Sequence, residues 1–178
     1  MATNRCMVDI ETIGLDIGSV IASIGAVEFT PSGRLGDEFS RSIRLESCQE
    51  AGLEIDAVTL EWWLDQDDAA QEQLTGGEDL TRVLTGFTCW YQDHDFDEIW
   101  ANSPSFDCEM LEHAYEQVGI QAPWDFYDER DFRTLTELGI EPRTKHQGTE
   151  HDALDDARYQ AGCASDILSQ LEVDDGQK

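Results

Sequence analysis

Hydrophobic and polar positions alternate along the chain with two different periods. Residues 5–10 (RCMVDI) make a short β-rich run and Val20–Phe29 (VIASIGAVEF) a longer one. After the turn at Pro31-Ser-Gly33, Asp37–Leu45 supplies a third run, so the first quarter of the chain predicts an antiparallel meander. The period then lengthens. Thr59–Asp65 predicts a short helix capped by Thr59, and Asp67–Leu74 a second helical stretch. Glu78–Tyr91 carries Leu80, Val83, Leu84, Phe87 and Trp90 at helical spacing. Glu98–Ala101 predicts a buried strand, Ser105–Val118 a helix with Met110, Leu111, Ala114 and Val118 inward, and Asp125–Tyr127 an edge strand. Phe132–Leu138 predicts a helix stopped by Gly139, and a last helix covers about Asp152–Leu171. A meander followed by alternating helices and strands is the pattern of an α/β fold with a sheet of mixed direction flanked by helices. With no internal repeat and no linker, the 178 residues predict one domain with a core at about 5–171 and a polar, fraying tail at 172–178.

Charge changes the picture. Thirty-nine acids stand against eleven bases, for a net charge of −28, and the bases are Arg except for Lys145 and Lys178. Such a surface excludes a generic basic protein that reads duplexes over its whole face. It suits work in molar salt, where the Debye length shrinks to about 3 Å and self-repulsion is screened. Five scattered cysteines (Cys6, Cys48, Cys89, Cys108, Cys163) without a CxxC pair predict buried free thiols in a reducing compartment. Without a signal-like segment or an apolar run near 18 residues, the expected location is cytoplasmic, with no membrane partner.

Three groups of acids carry candidate chemistry. The first strand ends in Asp9-Ile10-Glu11, and in an extended chain residues i and i+2 share a face. Two carboxylates on one face repel unless a hard cation lies between them. In the segment Trp100-Ala-Asn102-Ser-Pro-Ser-Phe106-Asp107, a buried strand runs into a turn and delivers Asp107 to the first turn of a helix. The third group is His151-Asp152-Ala-Leu-Asp155-Asp156. If all of it were regular helix, Asp155, four residues on, would share the face of His151.

Asp9-x-Glu11, Asp107 and His151-x4-Asp156, in this order, resemble the three motifs of the DEDDh 3′–5′ exonucleases. Thr59-Leu-Glu-Trp62-Trp63, Ser105-Phe106-Asp107 and Arg130-Asp131-Phe-Arg133-Thr134 look closer still to the exonuclease A-like branch of tailed phages. The resemblance covers about residues 6–168. It implies a ribonuclease H-like fold and hydrolysis through two Mg²⁺ or Mn²⁺ ions, about 3.5–4 Å apart, held by Asp9, Glu11, Asp107 and Asp156. It further implies His151 as general base, release of nucleoside 5′-monophosphates from single-stranded 3′ ends, and Asp156 as the third-motif ligand, leaving Asp155 a supporting place.

Thr12, Trp62, Trp63, Asn102, Phe106, Arg130 and Arg133 are the candidate substrate contacts. Five of the eleven bases (Arg130, Arg133, Arg143, Lys145, Arg158) fall within residues 130–158, beside the third motif. Local pairing of Arg130 and Arg133 with Asp128, Glu129 and Asp131 is the competing account. Adjacent helical positions diverge by about 100°, so one tryptophan of the pair can be core while the other stacks on a base. DNA is favoured over RNA as substrate. The alternatives are an exoribonuclease of the same fold and a non-catalytic acidic mimic or interaction protein, and a homodimer is compatible with the sequence. The charge makes one direct prediction: thermal melts in rising KCl should move upward from about 0.2 M, and a flat or falling melting temperature would count against a salt-adapted surface.

Overall fold

The computed structural model describes residues 4–148 and 151–175, with side chains described up to residue 171. Five strands, β1 (Arg5–Thr12), β2 (Ile21–Phe29), β3 (Leu35–Ser42), β4 (Glu98–Ala101) and β5 (Glu129–Asp131), form one sheet in the order β3-β2-β1-β4-β5. The β1–β2 and β2–β3 pairs are antiparallel, whereas β1–β4 and β4–β5 are parallel. Among the described residues seven α-helices accompany it: α1 (Leu45–Glu50), α2 (Ala57–Leu64), α3 (Asp68–Glu72), α4 (Leu80–Asp93), α5 (Asp107–Gln117), α6 (Phe132–Thr136) and α7 (Ala153–Asp175). This is the mixed, helix-flanked sheet of the ribonuclease H-like fold.

Side-chain alternation along β1 divides the interior in two. Cys6, Val8 and Ile10 enter the larger core with residues of α2, α4 and α5. Met7 points the other way, packing with Val27, Phe29 and Trp100 against Ala157, Ala161, Ala164 and Ile167 of α7. Asp9 and Glu11 continue the Met7 row. One face of one strand thus changes from apolar to acidic beneath the start of α7.

That start lies very close to the sheet. Gly25 is the cross-strand partner of Asp9, and a Cβ built there would stand 2.2 Å from the backbone of Ala153 and Leu154. Asp152 caps the start of the helix: its Oδ1 accepts from the amides of Leu154 (3.1 Å) and Asp155 (3.0 Å), while its Oδ2 accepts from Gln73 Nε2 at 3.0 Å.

Several boundaries differ from the sequence expectations. Leu45 opens α1 instead of closing β3, because after Ile43 the chain leaves the ladder and Arg44 N–H donates to the Glu78 carbonyl. Asp56, not Thr59, caps α2, accepting the Thr59 amide at 2.7 Å. Phe126–Asp128 forms a 3₁₀ turn closed by reciprocal Asp125 and Asp128 bonds, which moves the edge strand on to Glu129–Asp131. Helix α6 ends at Thr136, and α7 continues through the expected tail to Asp175. Cys89 is exposed, unlike the other four thiols. Among the described residues no helix is long and apolar enough to cross a membrane.

The Gly25 contact can be tested directly. Gly25→Ala forces helix or strand to move and should lower the melting temperature by roughly 3–10 °C, from about 1–3 kcal/mol of overpacking. Gly86→Ala, on α4 with its nearest foreign atom 3.7 Å away, should leave stability unchanged or raise it. An unshifted melt for Gly25→Ala would show that α7 does not press on β2.

Candidate active site

Strand β1 contributes Asp9 and Glu11, and the first turn of α7 contributes Asp156. Carboxylate oxygens of these three lie within 4.8 Å of one another. Asp107, the first residue of α5, is buried at 4% exposure and stands near enough for its charge to act on both Asp9 and Glu11. Three separate elements therefore converge on one acidic pocket, as hard divalent cations require.

The pocket resists holding so much negative charge. Asp9 titrates well above the usual carboxylate range, first through lost hydration and then through the charges of Asp107, Glu11 and Asp156; the Gln160 side chain opposes this. Glu11 is pushed up to about 8 by burial and by Asp156, Asp152 and Asp107. Burial raises Asp107 to about 7, against backbone hydrogen bonds from Ile10, Asn102 and its own residue and the nearby charge of Arg133. Oxygen donors that all disfavour ionisation in each other's presence fit a divalent cation, which would remove the repulsion.

The two histidines of this region sit differently. His151 lies outside α7 with φ at +65°. Its ring stands edge-to-face on Trp62 (4.9 Å between centroids) and also meets Trp63 at 6.1 Å. Among the described residues it makes no hydrogen bond to the acids. His146 does: its Nε2 is 2.8 Å from Asp156 Oδ1. Asp155 points elsewhere and accepts from Arg158 Nη1 at 2.7 Å, with Arg158 also gripping Glu38.

Beside the acids lies an apolar cleft of about 460 Å³, with Thr12, Leu15, Val58, Trp62, Trp63 and Phe106 among its lining residues. Trp63 is buried and donates from Nε1 to the Thr12 carbonyl at 2.9 Å; Trp62 is 43% exposed. The buried Thr12 hydroxyl donates to the Gly14 carbonyl. Asn102 is exposed, and its carbonyl accepts from Arg133 Nη2 at 3.2 Å. Arg130 is committed elsewhere: it meets Glu98 at 3.2 Å and the carbonyls of Tyr127 and Glu129. Seven of the nine arginines (5, 34, 41, 44, 82, 130 and 158) are in ion pairs. Among the described residues Arg133, Arg143 and Lys145 are the cations without one.

Sequence reasoning did not single out His146, Gln160, Leu15 or Val58. Gln160 alone left a signal, lying one helical turn beyond Asp156; the others meet the site only through the fold.

A family model described as the 3′-5′ exoribonuclease Rv2179c-like domain matches residues 4–168. No curated protein matches this sequence. Among solved structures, the nuclease domain of 3′hExo, a DEDDh family member bound to rAMP, is 15% identical with a TM-score of 0.64, covering 95% of this chain and 93% of that one. Cell-death related nuclease 4 is 13% identical with a TM-score of 0.65, covering 97% of this chain and 64% of that one. Exonuclease X in complex with 5′ overhanging duplex DNA is 15% identical with a TM-score of 0.61, covering 94% and 93%. These likenesses concern the fold, and the match along nearly all of the sequence means that the chain belongs to the 3′-5′ exoribonuclease Rv2179c-like domain family.

Proposed function

We propose that the protein is a divalent-metal-dependent 3′–5′ exonuclease that trims single-stranded RNA ends to nucleoside 5′-monophosphates. The observation carrying this reading is the convergence of Asp9, Glu11 and Asp156 within 4.8 Å, with Asp107 buried beside them. The family's description as an exoribonuclease supports RNA over the DNA favoured on sequence alone.

Asp9, Glu11, Asp107 and Asp156 would hold two Mg²⁺ or Mn²⁺ ions, and such ions when bound polarise the phosphate and acidify the attacking water. His151, set at the cleft by its contact with Trp62, accepts the water's proton, a role worth roughly 10²–10⁴-fold. The bond between the scissile phosphorus and the upstream 3′ oxygen breaks, leaving the 5′-phosphate on the released nucleotide. The apolar cleft takes the terminal base against Trp62 and Phe106, with Trp63 and Thr12 as its floor and Asn102 at the rim. Arg133 meets a phosphate, whereas Arg130 stays with Glu98. The acid-rich surface supports a concentrated-salt setting.

Activity assays test this reading. A 5′-labelled RNA oligonucleotide should give a descending ladder with Mg²⁺ or Mn²⁺, slower cleavage of the matching DNA, and no cleavage in EDTA. Asp107→Ala should remove more than about nine-tenths of the rate, and His151→Ala should lose rate yet still bind metal. Cuts within a circular single strand would overturn the exonuclease assignment.

The titrations set a pH dependence. Glu11 and Asp107 titrate at about 8 and about 7 in the folded protein, against about 4 in an unfolded chain. Across that window the native state holds protons that the unfolded chain has released, so stability present at low pH is lost as pH rises. In EDTA at fixed ionic strength, the melting temperature should fall between about pH 5 and pH 8. Saturating Mg²⁺ should restore it at pH 8, and Glu11→Gln should flatten the slope. A slope identical in wild type and Glu11→Gln would remove Glu11 as its source.

A further inference from the structure

Gln160 sits on α7 one turn after Asp156, at 6% exposure, in a stretch whose neighbours Ala157, Ala161 and Ala164 are wholly buried and apolar. Its Nε2 donates to Asp9 Oδ1 at 2.6 Å, a short hydrogen bond. Its Oε1 is buried without a partner. An amide whose carbonyl is left unpaired in an apolar wall costs stability compared with an apolar side chain of the same length. Packing therefore does not account for glutamine at this position.

We infer that Gln160 is the positioning residue of the acidic pocket: its amide holds one oxygen of Asp9 and so leaves the other to face the cation. This rests on the metal-binding reading above. With Asp9 ionised, as a metal ligand must be, the donor end is fixed by its partner, because turning the amide over would set Oε1 against a carboxylate oxygen. The place of Gln160 on α7 also ties Asp9 to the element that carries Asp156, so two carboxylates from opposite ends of the chain keep one spacing. Partners that orient a metal ligand from behind commonly change metal affinity by about 10–100-fold when lost.

The test uses Mn²⁺ as probe on the full chain, with affinity read by calorimetry or by the loss of free-ion paramagnetic signal, and stability read by melts in EDTA. Gln160→Met keeps length and removes both polar atoms. It should bind Mn²⁺ about 10–100-fold more weakly, with a metal-free melting temperature equal to or above wild type because the unpaired carbonyl is gone. Gln160→Glu, which replaces the donor with an oxygen, should weaken Mn²⁺ binding at least as far. Activity of Gln160→Met should return at high Mn²⁺, a shift in metal requirement that a packing role would not produce. Wild-type Mn²⁺ affinity in Gln160→Met would overturn the inference, as would a lowered metal-free melt with unchanged affinity. Should Gln160→Met fail to fold, Gln160→Leu carries the same measurement. Failure of the wild type itself to bind Mn²⁺ would instead overturn the metal reading of the acids, so the two are told apart.

Discussion

Everything at the acidic pocket depends on how closely α7 approaches β2. Gly25 leaves no space for a methyl group above the Ala153–Leu154 backbone, and that missing side chain sets the height of the helix over the sheet. Asp9 lies directly across the ladder from Gly25. The same contact therefore decides how far Asp156 and Gln160 stand from β1. A helix a few ångströms higher would take Asp156 away from Asp9 and Glu11 and break the Gln160–Asp9 hydrogen bond.

With the helix seated, lost hydration, and after it repulsion among the acids, disfavours charge in the pocket. Nothing in the apolar rows on either side relieves it: Met7 precedes Asp9 on its face of the strand, and Ala157 and Ala161 flank the helix side. The protein supports the charge with single contacts placed behind it, namely Gln160 on Asp9, His146 on Asp156 and backbone groups on Asp107. The arrangement is poised for a cation and poorly suited to staying ionised alone. Local instability of this kind at a site built by stable elements is the usual compromise between function and folding.

Much of this was legible in the sequence because it rests on short-range geometry. Period-two alternation alone put Asp9 and Glu11 on one face, and a strand running into a turn put Asp107 at a helix start. The choice between Asp155 and Asp156 was not decidable from spacing, since it depends on where α7 begins. The positive φ of His151 and the Asp152 cap exclude His151 from the helix, and Asp155 turns to Arg158. Arg130 illustrates the opposite failure. Its neighbours in sequence suggested a cationic strip, but its partner Glu98 lies on the adjacent strand, 32 residues away. His146 could not be read at all, because it lies ten positions before the carboxylate that it meets and outside the helix that carries it.

The commitment of arginines to acids also governs how a nucleic acid would be held. With Arg133, Arg143 and Lys145 as the described cations outside ion pairs, at most about three phosphates of a bound single strand would be neutralised. At about 0.7 per phosphate, a tenfold rise in salt then costs only about a hundredfold in affinity, far less than for a protein with a basic groove. Grip would come mainly from stacking in the apolar cleft, which salt does not weaken. A chain so short of free positive charge would thus hold a strand with little dependence on ionic strength.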